Sequence, residues 1–429
     1  MAGTQACKDL HVRVVSRRLL KASDTSIEPH VLAAPATGVD AVVATFEASL
    51  PSLLNAFFPL AGRIATNQSS GLPEVHCNNQ GAELVVGEAG VALASLDYAE
   101  MSASLRRIQL PYGEDMALSV QVVSFSCGGF TVAWSTNHLL VDGSALSSLV
   151  SAWSELALSG KLSTGSWPSH ERSVFRARPT PPYSAALDEA FTPADTRRQV
   201  NVLTFQRSAV ERLYYIDGST IARLREEASP NARRATRVQA VSAYLWKALA
   251  GVVGTADARC RMGWWVDGRP RLTAPELRAA MRNYVGNVTT FVLREERVGD
   301  VARTPLSGVA AMEHKTERYV ETSNIGLGSP TMTVTSFASF RVDTDFGFGP
   351  AAMALPISTS AARLCAGFMQ ISARPGEDGS WIASAFLWPQ LAAALESDQP
   401  RVFRPVTAEY LGLSVSLCSE GTVLPRSRL

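Results

Sequence analysis

The sequence has few cysteines and almost no excess of either charge. Its 6 cysteines are scattered without a CxxC pair, so their spacing predicts neither a zinc site nor a disulfide framework and suits a reducing compartment. The 40 basic and 39 acidic residues leave a formal net charge of +1. This balance gives no reason to expect nucleic acid or an anionic membrane as the main partner.

Long apolar runs are also absent. No stretch reaches the roughly 18 apolar residues of a membrane-spanning helix, and the first residues lack the apolar segment of a secretion signal. We therefore expect a soluble, cytoplasmic protein. With 429 residues, 46% of them hydrophobic and 18% charged, the chain can bury large cores and is expected to form two domains of about 200 residues each.

The segment around His138 joins a predicted strand to a predicted helix. Residues 130–136 are rich in β-branched and aromatic side chains and follow the turn signal at 127–129, which predicts a hairpin. Apolar residues at helical spacing come next, with Ser144 as the predicted N-cap and Gly160 as the predicted stop. His138 is thus expected at the end of a strand, where a scaffold can point its side chain into a cleft.

His138 is the one histidine of the 6 with an aspartate, Asp142, four residues further on. Most single histidines are structural, but a neutral imidazole near pH 7 is also a suitable general base for a hydroxyl or an amine. Asp142 either orients the imidazole, as in a triad, or pairs with a cation and fixes the turn. We favour the second alternative, because Asp followed by Gly is a common turn pair and the spacing does not aim the carboxylate at the ring.

Two motifs carry a resemblance to a known family. Residues 138–143, HLLVDG, resemble the HxxxD-G motif of the BAHD family of CoA-dependent acyltransferases, and residues 345–349, DFGFG, resemble its second hallmark, DFGWG. Weaker signatures of the family occur in the expected order at 58–63, 121, 127–130, 243–246, 267–272 and 284–287. Together they span most of the chain.

The resemblance implies an α/β fold of two similar chloramphenicol acetyltransferase-like domains, each a mixed sheet flanked by helices, with an active-site channel between them. We place the first domain, which carries HxxxD, at residues 1–175 and the second, which carries DFGFG, at 206–429. The proline- and arginine-rich stretch 176–205 is predicted to be the crossover linker.

The resemblance also assigns roles to single residues. His138 is implied to be the catalytic base, and no metal is expected. Asp142, Gly143 and Arg269 are implied to shape the catalytic turn, with an ion pair between Asp142 and Arg269. The residues implied to lie along the acyl and CoA channel, or to support it, are Thr335, Ser336, Asp345, Phe346, Gly347, Phe348 and Gly349.

The implied reaction uses acyl-CoA as co-substrate, without a bound cofactor, and a small-molecule alcohol or amine as acceptor. The expected acyl group is hydroxycinnamoyl, benzoyl or acetyl, and the expected enzyme is a monomer of specialised metabolism. Family members that use shikimate or quinate carry an arginine just after the strand equivalent to 335–337. Ala338 and Ser339 occupy that neighbourhood here, which disfavours these acceptors.

Two departures from the family pattern keep an alternative open. The passage between the first strand and the first helix is short, and Phe348 stands where the family has tryptophan. Both suit a non-catalytic member that acts through binding in lipid or cell-wall metabolism, whereas the intact His138 argues against it. A carrier-dependent condensation enzyme is a further alternative, but it would need HHxxxD, and Asn137 precedes His138.

Overall fold

The computed structural model of the protein describes residues 10–21, 38–175, 209–229, 234–312, 318–319, 329–340, 344–357, 366–376 and 378–413. The predicted crossover at 176–205 lies outside the described residues. The partition into domains at that point therefore stays a prediction.

The first half contains a four-stranded mixed sheet covered by helices. The strands of this half are β1 (Val12–Leu20), β2 (Arg63–Thr66), β3 (Pro73–His76), β4 (Ala82–Ala89), β5 (Leu118–Phe125) and β6 (Phe130–Thr136). Its helices are α1 (Val39–Ala56), α2 (Leu105–Ile108) and α3 (Gly143–Ser159). The sheet order is β1-β4-β5-β6, with β4 and β5 parallel, while β2 and β3 form a separate antiparallel pair. The predicted hairpin is confirmed as the antiparallel pair β5–β6.

Helices α1 and α3 pack against each other in the core of this half. Phe46, Leu50 and Leu53 recur at helical spacing on α1 and are fully buried, as is Trp153 of α3. The indole Nε1 of Trp153 donates a hydrogen bond of 2.7 Å to the Ser49 hydroxyl, so its polar group is satisfied inside the core.

The second half is built on an eight-stranded sheet. Its elements are β7 (Val210–Ile216), α4 (Gly218–Glu227), α5 (Arg237–Val253), β8 (Arg259–Asp267), α6 (Pro275–Ala280), β9 (Thr289–Arg297), α7 (Val298–Arg303), α8 (Leu306–Met312), β10 (Arg318–Tyr319), β11 (Thr331–Ser336), β12 (Gly367–Ala373), β13 (Trp381–Leu387), α9 (Pro389–Ser397) and β14 (Arg404–Pro405). The sheet order is β10-β9-β8-β11-β12-β13-β7-β14. Strand β11 runs parallel to both neighbours, β8 and β12. The carboxyl ends of β8 and β11 therefore lie at the same edge of the sheet.

Helix α5 carries the central core of this half. Val241, Leu245, Trp246 and Leu249 are fully buried, so Trp246 is a core residue, as its helical spacing indicates. The helix begins at a capping box in which Thr236 and Gln239 satisfy each other's backbone N–H groups.

Segment 97–108 of the first half joins strand β7 of the second. The backbone N–H of Leu213 donates to the Ala99 carbonyl at 3.2 Å, and that of Met101 donates to the Glu211 carbonyl at 3.4 Å. The Arg106 guanidinium adds an ion pair with Glu211 at 2.8 Å. The two halves are therefore in direct contact. No helix in the described part of the chain is both long enough and apolar enough to span a membrane.

Candidate active site

His138 lies in a tight turn directly after β6. Asn137 holds this turn: its side-chain oxygen accepts from the Leu139 N–H and its carbonyl accepts from the Leu140 N–H, both at 2.9 Å. The His138 side chain is exposed, and its imidazole makes no hydrogen bond to another described residue. His138 thus follows the end of a strand, as predicted, and its imidazole is exposed, while the cleft expected around it stays a prediction.

Asp142 is the N-cap of α3, and the predicted cap at Ser144 is therefore wrong. The Asp142 Oδ1 accepts from the Ala145 N–H at 3.0 Å, which satisfies one of the free donors at the start of the helix. Aspartate and serine are both good caps, and sequence spacing alone does not decide between neighbours two positions apart. The predicted stop at Gly160 is confirmed, because Gly160 adopts the left-handed conformation with φ 73°.

The Asp142 carboxylate is 2% exposed and is surrounded by donors from the second half. The Arg269 guanidinium donates to it in a bidentate pair, Nη1 to Oδ2 at 2.8 Å and Nη2 to Oδ1 at 3.1 Å. The Val288 N–H and the Thr289 hydroxyl donate to Oδ2 at 2.8 Å and 3.2 Å. None of these bonds involves the imidazole of His138, so the structure contains the cation pair and not the triad arrangement.

Burial raises the pKa of Asp142, but the hydrogen bonds from Arg269, from the Val288 N–H and from the Ala145 N–H outweigh it. The pKa of this carboxyl group is therefore held below its usual value. Asp142 is consequently ionised at neutral pH and attracts Arg269 across the two halves.

Arg269 also donates hydrogen bonds to groups of the second half. Its Nη1 also donates to Asp267 Oδ1 at 3.1 Å, and its Nη2 donates to the carbonyls of Tyr284 and Gly286 at 3.2 Å and 2.9 Å. Arg271, in contrast, is exposed and donates to the Asp267 carbonyl. Arg269 is thus the arginine that pairs with Asp142, as the resemblance implied.

Gly143 allows a close approach of the second half to the start of α3. A Cβ at this position would lie 2.6 Å from Cε1 of Phe337, which is far below van der Waals contact. Phe337 follows directly after Thr335 and Ser336 at the end of β11, where both are half-buried. The Ser336 hydroxyl accepts from the Ala338 N–H at 3.4 Å. The end of β11 therefore lies against the start of α3, where Arg269 also contacts Asp142.

The side chain of Asn287 reaches His138 from the second half. Its Nδ2 donates to the backbone carbonyl of His138. Residues 287–289 therefore contact both ends of the HxxxD segment, since Val288 and Thr289 hold Asp142. The sequence did not show that these three residues contact the HxxxD segment, although Asn287 belongs to the family signature at 284–287.

Hydrogen bonds hold the backbone of the DFGFG loop, and its phenylalanines pack into the core of the first half. The Asp345 Oδ1 accepts from the N–H groups of Gly347, Phe348 and Gly349 at 2.7, 3.0 and 3.0 Å. Gly347 and Gly349 have φ values of 94° and 90°, which favour glycine. The Asp345 carbonyl also accepts from the Ser154 hydroxyl of α3 at 2.5 Å.

The two phenylalanines of this loop contact β6 and α1. Phe346 is buried and stacks on Trp134 of β6 with ring centroids 5.6 Å apart, and it lies edge-on to Phe46 at 5.4 Å. Phe348 is half-buried between Phe46 and Phe130. The loop thus supports the strand that leads to His138.

Among the described residues no cluster of three or more His, Cys, Asp or Glu side chains could hold a metal ion.

Comparison with known proteins assigns the family. The model of the Transferase family matches residues 32–340. Anthranilate N-benzoyltransferase protein 1 of Dianthus caryophyllus is 26% identical over 275 residues, which are 61% of this chain and 60% of that protein. Omega-hydroxypalmitate O-feruloyl transferase of Arabidopsis thaliana is 24% identical over 355 residues, 75% of each chain.

Solved structures show the same fold at low sequence identity. Vinorine synthase is 19% identical with a TM-score of 0.65, covering 94% of this chain and 98% of that one. TRI101 of F. sporotrichioides, complexed with Coenzyme A and T-2, is 16% identical with a TM-score of 0.65, covering 85% and 92%. The predicted α/β fold of two domains with mixed sheets and flanking helices is confirmed. Since the family model matches well over half of the chain, this protein belongs to the Transferase family, the BAHD family of CoA-dependent acyltransferases.

Proposed function

We propose that this protein transfers a hydroxycinnamoyl, benzoyl or acetyl group from CoA to a hydroxyl or amine of a small specialised metabolite, with His138 as the general base. The observation that carries the proposal is the exposed imidazole of His138 on a turn held by both halves of the chain. Asp142 is fully engaged with Arg269, and it therefore shapes the turn without taking part in proton transfer.

His138 would remove the proton from the acceptor as its oxygen or nitrogen attacks the thioester carbonyl. Such proton transfer contributes about 10²–10⁴ in rate. The tetrahedral intermediate collapses with cleavage of the carbon–sulfur bond, and the imidazolium returns the proton to the CoA thiolate. The hydroxyls of Thr335 and Ser336, half-buried at the end of β11, are the proposed groups near the thioester.

Two features support the proposed substrates. One relative is named for acylation of an amine with a benzoyl group and another for acylation of a hydroxyl with a feruloyl group. A small acceptor without a shikimate-like carboxylate fits Ala338 and Ser339, neither of which carries a positive charge. Action as a cytoplasmic monomer is a proposal that rests on the balanced charge and composition of the chain.

The direct test measures CoA-thiol release by purified wild-type protein and by His138→Ala. Acetyl-, benzoyl- and hydroxycinnamoyl-CoA are each combined with alcohols and amines. We expect acceptor-dependent release that falls by at least about 10²-fold in His138→Ala. His76→Ala is the matched control, since His76 is an exposed histidine on β3 that pairs with Glu74.

The control variant is expected to retain the wild-type rate. If folded wild-type protein released no more thiol than His138→Ala with every pair, the enzymatic proposal would be wrong. The non-catalytic binding function would then take its place.

A further inference from the structure

The turn that carries His138 has no regular secondary structure to fix it. It follows the last paired residue of β6, and among the described residues Asn137 alone holds the N–H groups of Leu139 and Leu140. The backbone torsions of such a turn determine where the His138 side chain points. A second anchor on the turn therefore bears directly on the direction of the imidazole.

Asn287 supplies this anchor through the His138 carbonyl. Its Nδ2 is the donor, and it comes from the residue just before Val288 and Thr289, which are fixed by their bonds to Asp142. The amide therefore extends from a segment that is itself tied to the start of α3. Because Asn287 lies next to these fixed residues, its hydrogen bond restricts the position of the His138 carbonyl.

We propose that Asn287 is a positioning residue for the general base: its amide holds the His138 carbonyl and so aims the imidazole at the acyl acceptor. This inference rests on the proposed function of His138. A misplacement of about 1 Å in such a group can lower a rate by roughly 10²-fold without changing the chemistry. The contribution of Asn287 should appear in kcat, because Asn287 acts on the base and not on the bound CoA.

If Asn287 only stabilised the fold, its replacement would lower the stability of the protein and not kcat alone. The Asn287 side chain is exposed, and the two halves are joined independently by the Asp142–Arg269 pair and by the contacts of segment 97–108. Loss of one amide on the surface should therefore leave the fold intact. The stability and the kinetic effects can be measured separately.

The experiment compares Asn287→Ala and Asn287→Asp with Asn283→Asp. Aspartate has the shape of asparagine but, when ionised, cannot donate to a carbonyl. Asn283 is the matched control, since its Nδ2 also donates to backbone carbonyls, those of Gly165 and Trp167, but not to the His138 turn. We expect kcat to fall about 10- to 100-fold in both Asn287 variants, with KM for acyl-CoA within about twofold and Tm nearly unchanged. Asn283→Asp should keep the wild-type kcat.

A double variant separates positioning from other effects. If Asn287 acts through His138, Asn287→Ala should cause no further loss in the His138→Ala background. An unchanged kcat in the Asn287 variants, an equal loss in Asn283→Asp, or an additional loss in the double variant would each overturn the inference. A failure of the proposed function is distinct, because wild-type protein and His138→Ala would then release thiol at the same rate, whatever the Asn287 variants did.

Discussion

Asp142 is a buried ionised carboxylate that joins the two halves of the chain. A buried charge is unfavourable unless it is paired and its remaining lone pairs are satisfied. Here the forked guanidinium of Arg269 fits both oxygens, and the Val288 N–H, the Ala145 N–H and the Thr289 hydroxyl also donate to them. Lysine could not replace Arg269, because a single ammonium cannot form two parallel bonds to the carboxylate and also reach the Gly286 carbonyl.

We predict that Arg269→Met lowers the free energy of unfolding by about 3–5 kcal/mol, because it leaves Asp142 charged, buried and without its cation. Urea unfolding followed by tryptophan fluorescence measures this loss. Arg271→Met is the matched control, since Arg271 is exposed two residues away, and it should change stability by no more than about 0.5 kcal/mol.

A second substitution tests the cause. Asp142→Asn in the Arg269→Met background removes the stranded charge and keeps an acceptor for the helix start, so it should recover part of the lost stability. The effect of Asp142→Asn on stability is measured both in wild-type protein and in Arg269→Met. If it lowered stability equally in the two backgrounds, the stranded-charge explanation would be incorrect.

Strand β6 packs against loop 345–349, which comes from the second half of the sequence. Loop 345–349 places Phe346 against Trp134 and Trp153, and the Ser154 hydroxyl holds its backbone. The loop is therefore part of the first-half core, and its assignment to the CoA channel stays a prediction. This packing gives a physical reason why aromatic residues and glycines alternate in the loop.

We predict that Phe346→Ala lowers the free energy of unfolding by about 3–5 kcal/mol, since it leaves a cavity among the aromatic rings. Phe348→Ala should cost clearly less, because Phe348 is only half-buried. Denaturant unfolding of both variants measures the difference. Equal losses, or a larger loss in Phe348→Ala, would contradict the view that Phe346 is the main anchor of the loop.

At the scale of the whole molecule, segment 165–170 ties the end of α1 to residues 283–285. The Ser169 N–H donates to the Asn283 carbonyl at 2.9 Å, and the Val285 N–H donates to the Ser169 carbonyl at 2.8 Å. His170 Nε2 is 2.8 Å from the Ala56 carbonyl, with Nε2 assigned as the donor. Its Nδ1 is buried without a partner among the described residues. This segment therefore links the first half to the loop that carries Asn287.

Burial lowers the pKa of His170 below its usual value of 6.5, and Arg172 adds to this, while the hydrogen bond to Ala56 opposes it. The folded state thus binds the proton less readily than the unfolded state. The contribution of neutral His170 to stability is present above pH 6.5 and is lost as pH falls from 6.5 toward the folded pKa. We predict that wild-type protein loses more stability between pH 7.5 and about pH 5.5 than His170→Gln does.

Urea midpoints at both pH values measure this difference. His76→Gln is the control for the loss of an exposed histidine. If His170→Gln and the wild type lost the same stability on acidification, the buried imidazole would not be the cause.

Much of the fold could be predicted from the sequence because its signals are local. A run of β-branched and aromatic residues after a turn signal marked β6, helical spacing of apolar residues marked α3, and Gly160 marked the end of that helix. The spacing of His138 and Asp142 marked the candidate base and a turn partner. The motif resemblance carried the two-domain α/β fold and the family.

Contacts between distant parts of the chain were decided only by the tertiary structure. Periodicity describes which face of an element is apolar, but not which residue of the other half will meet it. The bond from Asn287 to the His138 carbonyl, the approach of Phe337 to Gly143 and the place of Phe346 beside Trp134 all depend on how the halves pack. The sequence by itself therefore determined the chemistry available to this protein, and the packing of the two halves decided which groups hold the turn that carries His138.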